Sequence, residues 1–239
     1  MPELRNISDE IAVVDADIKP RAISYRAYVR LQESLRRERR ELLIFCGHPQ
    51  TLTAGVKSRE ESLLISPDQL RDNGVAHVRI GRGGDYTAHE PGQCVIYPHI
   101  DLRTREIPVS HFFDQLLKIT RESIEQTWGL KLKNNADAPG LYTIPVPPES
   151  ESKKLASIGI MFKGFFSSFG VAVNVSNSLK TFEYINACGD ANLRMTTIEK
   201  LGGDPGLVTD FKDAWIERLR NHLHTYPRPL TDESIHGTR

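Results

Sequence analysis

The sequence lacks the features that mark several classes of protein. No apolar run approaches the ~20 residues that a membrane-spanning helix needs, so we do not expect a membrane protein. Lysine plus arginine number 31, as do aspartate plus glutamate, which leaves no net basic charge of the kind that nucleic-acid binders carry. The first residues have no basic start followed by an apolar stretch, so we expect no secretory signal.

Cysteine is also scarce, since the 239 residues contain only Cys46, Cys94 and Cys188. The three are odd in number, far apart and form no CxxC pair, which argues against a zinc site or a disulfide framework. We therefore expect a reducing cytoplasm, where a thiol stays free to react. Cys46 and Cys94 lie in apolar, strand-like runs and are predicted core residues. Cys188 follows a strand-and-turn region and precedes a glycine, a setting that suits an exposed thiol.

The patterns that are present indicate a mixture of helices and strands. Helices are predicted at 24–40, 66–74, 110–128 and from Asp204 onward, and strands at 42–45, 75–80, 93–100, 155–162 and 165–175. Lys163-Gly164 is typical of a hairpin turn, which excludes a strictly parallel sheet. We predict an α/β fold of the α+β type, as a single domain over residues 1–239. It would have a mixed sheet flanked by helices, a core at about 41–224 and a flexible tail at 228–239.

The first segment that could carry chemistry runs from Arg82 through Gly83-Gly84 to Gln93. Two adjacent glycines after a strand let backbone amides approach a ligand closely, as phosphate- or carboxylate-binding turns do. A plain turn beside a surface arginine explains the same residues equally well. The segment is neither a Walker A loop nor a dinucleotide fingerprint, since GxxxxGK[ST] and GxGxxG are both absent.

The other two segments supply a lysine and a cysteine. Lys154 lies where a proline-rich, charged surface loop (145–154) gives way to an apolar strand. Such a lysine is usually a solvated surface group, but inside a pocket it loses solvation and becomes a usable base. Cys188 before Gly189 could be a nucleophile or an ordinary exposed thiol. The residues of each segment alone leave both readings open.

Taken together, the three segments resemble the lipoyl(octanoyl) transferase family. The family pattern is RGGxxTxHGPGQ, then KxxxxG, then a cysteine before a glycine. Residues 82–93 match it with one substitution, and Lys154 precedes Cys188 by the family's 34 positions without a gap. Smaller matches at 47–55, 97–102, 137–140 and 173–175 extend the resemblance over residues 45–198.

The resemblance implies transfer of an octanoyl group from octanoyl-acyl carrier protein to a lysine of a lipoyl domain. Implied acceptors are the lipoyl domains of 2-oxoacid dehydrogenases and the H protein of glycine cleavage; no cofactor and no metal is implied.

Cys188 would carry the acyl group as a thioester and Lys154 would be its activating base, since only about 3% of an ordinary thiol is ionised at neutral pH. Backbone amides near Gly159 and Gly170 would hold the oxyanion. The implied fold is that of biotin and lipoate ligases. Implied substrate contacts are Arg82, Gly83, Gly84, Asp85, Tyr86, Thr87, Ala88, His89, Ser157, Ile158, Gly159, Gly170, Val171 and Ala172.

The sequence departs from the family pattern at two notable positions. Phe169 replaces a histidine, and we expect it to provide apolar surface in an acyl pocket. Glu90 replaces the glycine after His89 and is expected to add a carboxylate near the site. Because of these departures, an alternative interpretation is that the chain is a non-catalytic relative that only binds acylated carrier or lipoyl domains. An ATP-dependent lipoate ligase of the same fold is the other alternative, although it would not need Cys188.

An acidic carrier protein calls for a basic docking surface. The candidate in this sequence is the run of arginines at the end of the first predicted helix, namely Arg36, Arg37, Arg39 and Arg40. A solvated helix face is the alternative interpretation of the same run.

Overall fold

The computed structural model describes residues 3–8, 11–16, 23–135 and 138–226. The strands are β1 (Glu3–Ser8), β2 (Ile11–Asp15), β3 (Leu42–Cys46), β4 (Thr51–Ala54), β5 (Ala76–Arg79), β6 (Tyr86–His89), β7 (Gln93–His99), β8 (Leu132–Asn134), β9 (Gly140–Thr143), β10 (Lys153–Lys163), β11 (Phe166–Asn174) and β12 (Arg194–Met195). The α-helices are α1 (Tyr25–Glu38), α2 (Pro67–Asp72), α3 (Val109–Trp128) and α4 (Val208–His224). No helix in this described part of the chain is long and apolar enough to cross a membrane.

The strands form a large mixed sheet and a small one. The large sheet has the order β1-β2-β3-β7-β11-β10-β9-β8, with β12 added alongside β10. β2 pairs parallel with β3, and β12 parallel with β10, while the remaining neighbours in this sheet are antiparallel. The small sheet has the order β5-β4-β6. The predicted mixed α/β architecture is therefore confirmed.

Helices cover both faces of the large sheet, as alternate side chains of β3 show. Leu43 and Phe45 belong to the core formed with α3 and α4. Leu42, Ile44 and Cys46 belong to a second core formed with α1. A strand covered on both faces needs apolar residues at every position, which explains the uninterrupted apolar run in this part of the sequence.

Local signals place several element ends where the sequence predicts them. Ser66 caps α2 with a reciprocal capping box to Gln69, and Pro67 occupies the first turn. The predicted hairpin joins β10 to β11, although Lys163 still pairs with Phe166, so its centre lies one residue later than expected. The last helix differs: Asp204 caps a short 3-10 helix, Pro205–Leu207, and α4 follows it. Gly206 is a poor α-helix former, which favours the tighter turn first.

Two predicted boundaries are corrected by burial. Strand β10 begins at Lys153, so the surface loop ends earlier than predicted, and Lys154 is only 1% exposed. The packed core also begins before residue 41, because Ile11, Val13 and Tyr28 are buried against the large sheet. The predicted tail at 228–239 lies outside the described residues.

Candidate active site

The three segments found in the sequence surround one cavity of about 520 Å³. It lies where strands β7, β10 and β11 of the large sheet meet β6 of the small sheet and the turn 186–189. The predicted contact residues that line it are 82–87, His89, 157–159 and 170–172. Ala88 is the exception, because it is fully buried in the apolar cluster of the small sheet and its methyl group does not reach the cavity.

The predicted lysine and cysteine are in contact at the edge of this cavity. Lys154 Nζ donates to Cys188 Sγ at 3.2 Å and to the Pro139 carbonyl at 3.0 Å, and it lies 5.3 Å from the centre of the Tyr142 ring. A buried ammonium group is costly unless it is hydrogen-bonded, and these partners compensate for its burial. Gly140 makes the arrangement possible, since a Cβ there would lie 2.5 Å from Lys154 Cε. The interpretation of Lys154 as a solvated surface lysine is therefore wrong.

Cys188 is exposed and lies in an unusual backbone conformation. It has φ 59° and ψ 16° within the short turn Ala187–Gly189, a left-handed conformation that non-glycine residues seldom adopt. Such conformations persist only where the surroundings impose them, and they concentrate at functional sites. By contrast, Cys46 and Cys94 are fully buried in strands, as predicted, and burial raises the pKa of Cys94 to about 12.

Residues that the sequence did not identify hold this turn. The Asn186 amide donates to the Ser62 carbonyl at 2.8 Å, and Arg59 Nη2 donates to the Gly189 carbonyl at 3.3 Å. Arg59 and Ser62 are more than 120 positions away from the turn and carry no motif, so only the tertiary contact reveals them.

Asp85 lines the cavity but is engaged mainly by its neighbours. Its Oδ1 accepts from the amides of Arg59 (3.2 Å) and Tyr86 (2.8 Å), and its Oδ2 accepts from Ser62 Oγ at 2.6 Å. The carboxylate is 8% exposed. It therefore joins the glycine-rich segment to the segment that holds the cysteine turn.

Arg82 is buried and connects three segments. Its Nη2 donates to the carbonyl and hydroxyl oxygens of Thr53 at 2.8 and 2.9 Å, and its Nη1 donates to the Gly83 carbonyl at 2.9 Å. Gly159 leaves room for the side chain, because a Cβ there would lie 2.8 Å from Arg82 Cδ. Burial lowers the pKa of the Arg82 guanidinium. The reading of this residue as a surface arginine is therefore wrong.

A wall of aromatic and imidazole rings forms the inner part of the site. His89 Nδ1 lies 3.2 Å from Gln93 Oε1, and its ring packs 5.0 Å from the ring of Tyr25. Burial holds the pKa of His89 well below its ordinary value, with His48 and Arg82 adding to the effect. Burial also lowers the pKa of His48 to about 4, so both imidazoles are neutral at pH 7.

Phe169 belongs to the same wall. Its ring is 2% exposed and lines the cavity, and its backbone has φ 64°. The Phe169 amide donates to Tyr28 Oη at 3.0 Å, and the Tyr28 ring stacks on Tyr97 at 3.7 Å. Tyr28 therefore supports the backbone conformation that directs the Phe169 ring into the cavity.

Glu90, expected to add a carboxylate near the site, does not line the cavity. It is 1% exposed and accepts from the amides of Leu179 (2.7 Å) and Thr181, from Ser178 Oγ (3.2 Å) and from Asn177 Nδ2 (3.3 Å). These bonds tie the loop 177–181 to the end of β6. The expectation is corrected: this carboxylate organises a loop.

The predicted basic surface is partly neutralised within the chain. Arg36 and Arg37 share the carboxylate of Glu33, while Arg39 pairs with Asp101, so two carboxylates stand against four arginines. This pairing favours the helix-face reading for part of the run and leaves some positive charge on it. Lys57, Arg59, Arg82 and Lys154, all outside this run, line the cavity itself.

This arrangement brings an exposed thiol and a buried amine into contact beside a partly open cavity whose lining is mainly apolar. A thiol and an amine in hydrogen-bond contact are the groups that nucleophilic acyl transfer needs. Gly159 and Gly170 face each other across β10 and β11 and line the cavity, where their backbone is close to an entering acyl group. Within the described ranges, no cluster of three His, Cys, Asp or Glu side chains is arranged as metal ligands would be.

Comparison with known proteins relates this geometry to a family. The sequence model of the lipoyl protein ligase A/B catalytic domain matches residues 24–220. A protein of Leptospira interrogans serovar Lai named octanoyltransferase is 41% identical over 212 residues, covering 89% of this chain and 95% of that protein.

Solved structures agree on the fold. A bipartite lipoate protein ligase from Thermoplasma acidophilum is similar with a TM-score of 0.65 at 15% identity, covering 92% of this chain and 88% of that one. A biotin protein ligase from Leishmania major, in complex with biotinyl-5-AMP, is similar with a TM-score of 0.50 at 10% identity, covering 95% and 80%. Identities this low show the fold alone, which is the predicted fold of lipoate and biotin ligases.

Proposed function

This chain belongs to the lipoyl protein ligase A/B catalytic-domain family, and we propose that it transfers an octanoyl group from octanoyl-acyl carrier protein to a lysine of a lipoyl domain. One observation carries the proposal: the exposed thiol of Cys188 lies 3.2 Å from the buried amine of Lys154, beside a partly open cavity with a mainly apolar lining. The name of the relative at 41% identity supports octanoyl as the transferred group. The exposed thiol requires reducing conditions, which favours a cytoplasmic reaction.

In the first step the Cys188 thiolate attacks the carbonyl carbon of the donor thioester. Lys154 takes the proton of the Cys188 thiol, a new bond forms between Sγ and the acyl carbon, and the bond to the carrier's sulfur breaks. Lys154 then passes the proton to that sulfur, which leaves as a thiol, and the Lys154 amine is neutral again. One thioester replaces another, so the exchange is nearly balanced in free energy and needs no ATP. Lys154 favours the attacking thiolate by donating a hydrogen bond to it.

In the second step the amine of the acceptor lysine attacks the Cys188 thioester. The amide bond forms, the bond between the acyl carbon and Sγ breaks, and the amine loses a proton. Lys154 lies in hydrogen-bond contact with the reacting sulfur, and its neutral amine accepts that proton. The side chain is 1% exposed, so the proton is passed within the site rather than to bulk water.

The test is acyl transfer without nucleotide. The protein is incubated with octanoyl-acyl carrier protein and no acceptor, digested and examined by mass spectrometry. We expect one octanoyl group on the peptide containing Cys188, labile to hydroxylamine, and transfer to a lipoyl domain once it is added. Cys188→Ala is the control.

Two results would contradict the proposal. Acylation of Cys46 or Cys94 would overturn the site assignment, although both lie buried in strands. Modification of the lipoyl domain that depends on ATP and persists in Cys188→Ala would indicate a ligase instead.

A further inference from the structure

The turn that carries Cys188 is held at both of its ends by one short segment. The Asn186 amide, on one side of the cysteine, bonds to the carbonyl of Ser62. The Gly189 carbonyl, on the other side, accepts from the guanidinium of Arg59. The peptide groups 185–186 and 189–190, one before the turn and one after it, are thus both bonded to the segment 59–62, while Cys188 between them has a left-handed backbone.

The segment 59–62 is in turn fixed by Asp85. This carboxylate accepts from the Arg59 amide and from the Ser62 hydroxyl, and its Oδ2 lies 3.9 Å from Arg59 Nε. Packing here is close: a Cβ on Gly189 would collide with Arg59 Nη2 and would lie 3.1 Å from Asp85 Oδ2. Glycine at 189 therefore leaves room for the Arg59 guanidinium, and its φ of 75° is a backbone conformation that other residues rarely adopt.

On the side of the turn away from the segment 59–62, the sulfur of Cys188 contacts the amine of Lys154. Lys154 lies on strand β10 and its amine also donates to the Pro139 carbonyl, so following a displaced thiol would cost it that bond. The distance of 3.2 Å between Nζ and Sγ thus depends on where the turn is held.

We propose that Arg59 and Asp85 are positioning residues that set the Cys188 thiol against Lys154. Neither residue needs to touch the reacting atoms, since both act through the backbone of the turn. Arg59 supplies the direct bond to the Gly189 carbonyl, and Asp85 holds Arg59 and Ser62 in place. The inference rests on the proposed function of Cys188 and assigns to Asp85 a role other than substrate contact.

The test compares Arg59→Ala, Arg59→Lys, Asp85→Asn and the double variant Arg59→Ala/Asp85→Asn. Arg71→Ala is the matched control, because Arg71 is a 73% exposed arginine whose ion pair is with Asp68 on the same helix. Each variant is measured for the single-turnover rate of octanoyl transfer to Cys188, the KM for the donor, the rate of iodoacetamide alkylation of Cys188, and thermal stability.

A misplacement of about 1 Å costs on the order of 100-fold in rate. We therefore expect Arg59→Ala to acylate about 100-fold more slowly and to be alkylated more slowly, with KM little changed. Arg59→Lys should recover part of the rate, since it retains a donor for the Gly189 carbonyl. Asp85→Asn should be slower than the wild type as well. The double variant should be no slower than the worse single variant, because residues acting through one contact chain are not additive.

The proposal fails if Arg59→Ala and Asp85→Asn acylate and alkylate at wild-type rates. It also fails if their losses only follow a loss of thermal stability, or if the two losses multiply in the double variant. Absence of acylation in the wild type would instead refute the proposed function. In that case, alkylation of Cys188 across the variants would still decide whether these residues position the thiol.

Discussion

Replacing Phe169 by alanine is expected to lengthen the acyl chain that the cavity prefers. The ring is 2% exposed and lines the cavity beside Tyr97 and Val95. A buried aromatic side chain covers about 150–250 Å² of surface, which corresponds to about 4–6 kcal/mol at about 25 cal/mol per Å². The same change should cost about 3–5 kcal/mol of folding stability. Phe169→Leu therefore serves as a milder companion variant.

The size of the specificity change follows from methylene burial. Each buried methylene contributes about 0.8 kcal/mol, so two more in the vacated space contribute about 1.6 kcal/mol, or roughly 15-fold. We expect the kcat/KM of a decanoyl donor relative to an octanoyl donor to rise by about that factor in Phe169→Ala. Alkylation of Cys188 by iodoacetamide should be unchanged, because Phe169 lies on β11 and packs against Tyr28 of α1, whereas the cysteine turn is bonded to the segment 59–62.

The assay measures kcat/KM for octanoyl, decanoyl and dodecanoyl carrier protein. Phe166→Ala is the matched control, since Phe166 is a fully buried phenylalanine on the same strand that does not line the cavity. An unchanged ranking of chain lengths in Phe169→Ala would refute the reasoning. So would a gain of several orders of magnitude in Phe169→His, which should change the rate only modestly. Such a gain would mean that the natural protein lacks a needed catalytic group.

Three further predictions concern the lysine, a buried histidine and the loop carboxylate. Lys154→Arg should keep the fold and lose most turnover, because arginine keeps the charge but does not accept a proton, while alkylation of Cys188 persists; near-normal turnover would show that charge alone suffices. His48 has a folded pKa of about 4 against about 6.5 unfolded, so the unfolded state binds more protons between these values and stability falls as pH falls. Urea denaturation at pH 7 and pH 5 should show that the fall in the free energy of unfolding between these pH values is about 2 kcal/mol smaller in His48→Gln than in the wild type. The exposed control variant, His224→Gln, should show the same fall as the wild type. An equal fall in the wild type and in His48→Gln would contradict the prediction. Glu90→Ala should lower the free energy of unfolding by about 3 kcal/mol, because four donors of the loop 177–181 lose their acceptor. Glu61→Ala is the control and should be nearly neutral, since Glu61 is 70% exposed. A loss in Glu90→Ala no larger than the loss in Glu61→Ala would show that the loop does not need the carboxylate.

The sequence alone predicted the helices, the longer strands and the candidate pair of lysine and cysteine. Apolar periodicity and capping residues depend on neighbours a few positions away, so they predicted α1–α4 and the strands β3, β5, β7, β10 and β11 within a few residues. They missed the other seven described strands, most of which are too short to show a period. The spacing of Lys154 and Cys188 within three matching segments predicted that these two residues act together. In the structure, Lys154 Nζ lies 3.2 Å from Cys188 Sγ. Ala88 was predicted to contact the substrate but does not line the cavity. A motif match could not show this, because it does not tell which face of a strand is covered.

The tertiary structure decided what surrounds that pair. Lys154 is buried because β9 and β12 flank it on β10, and Glu90 turns to a loop that lies 87 or more positions along the chain. Arg59 reaches the cysteine turn across 130 positions, a contact that no local pattern encodes. Sheet register and loop closure bring such residues together only when the whole chain has packed. The contact between the lysine and the cysteine could therefore be predicted from a motif, while the residues that hold their segments in place could not.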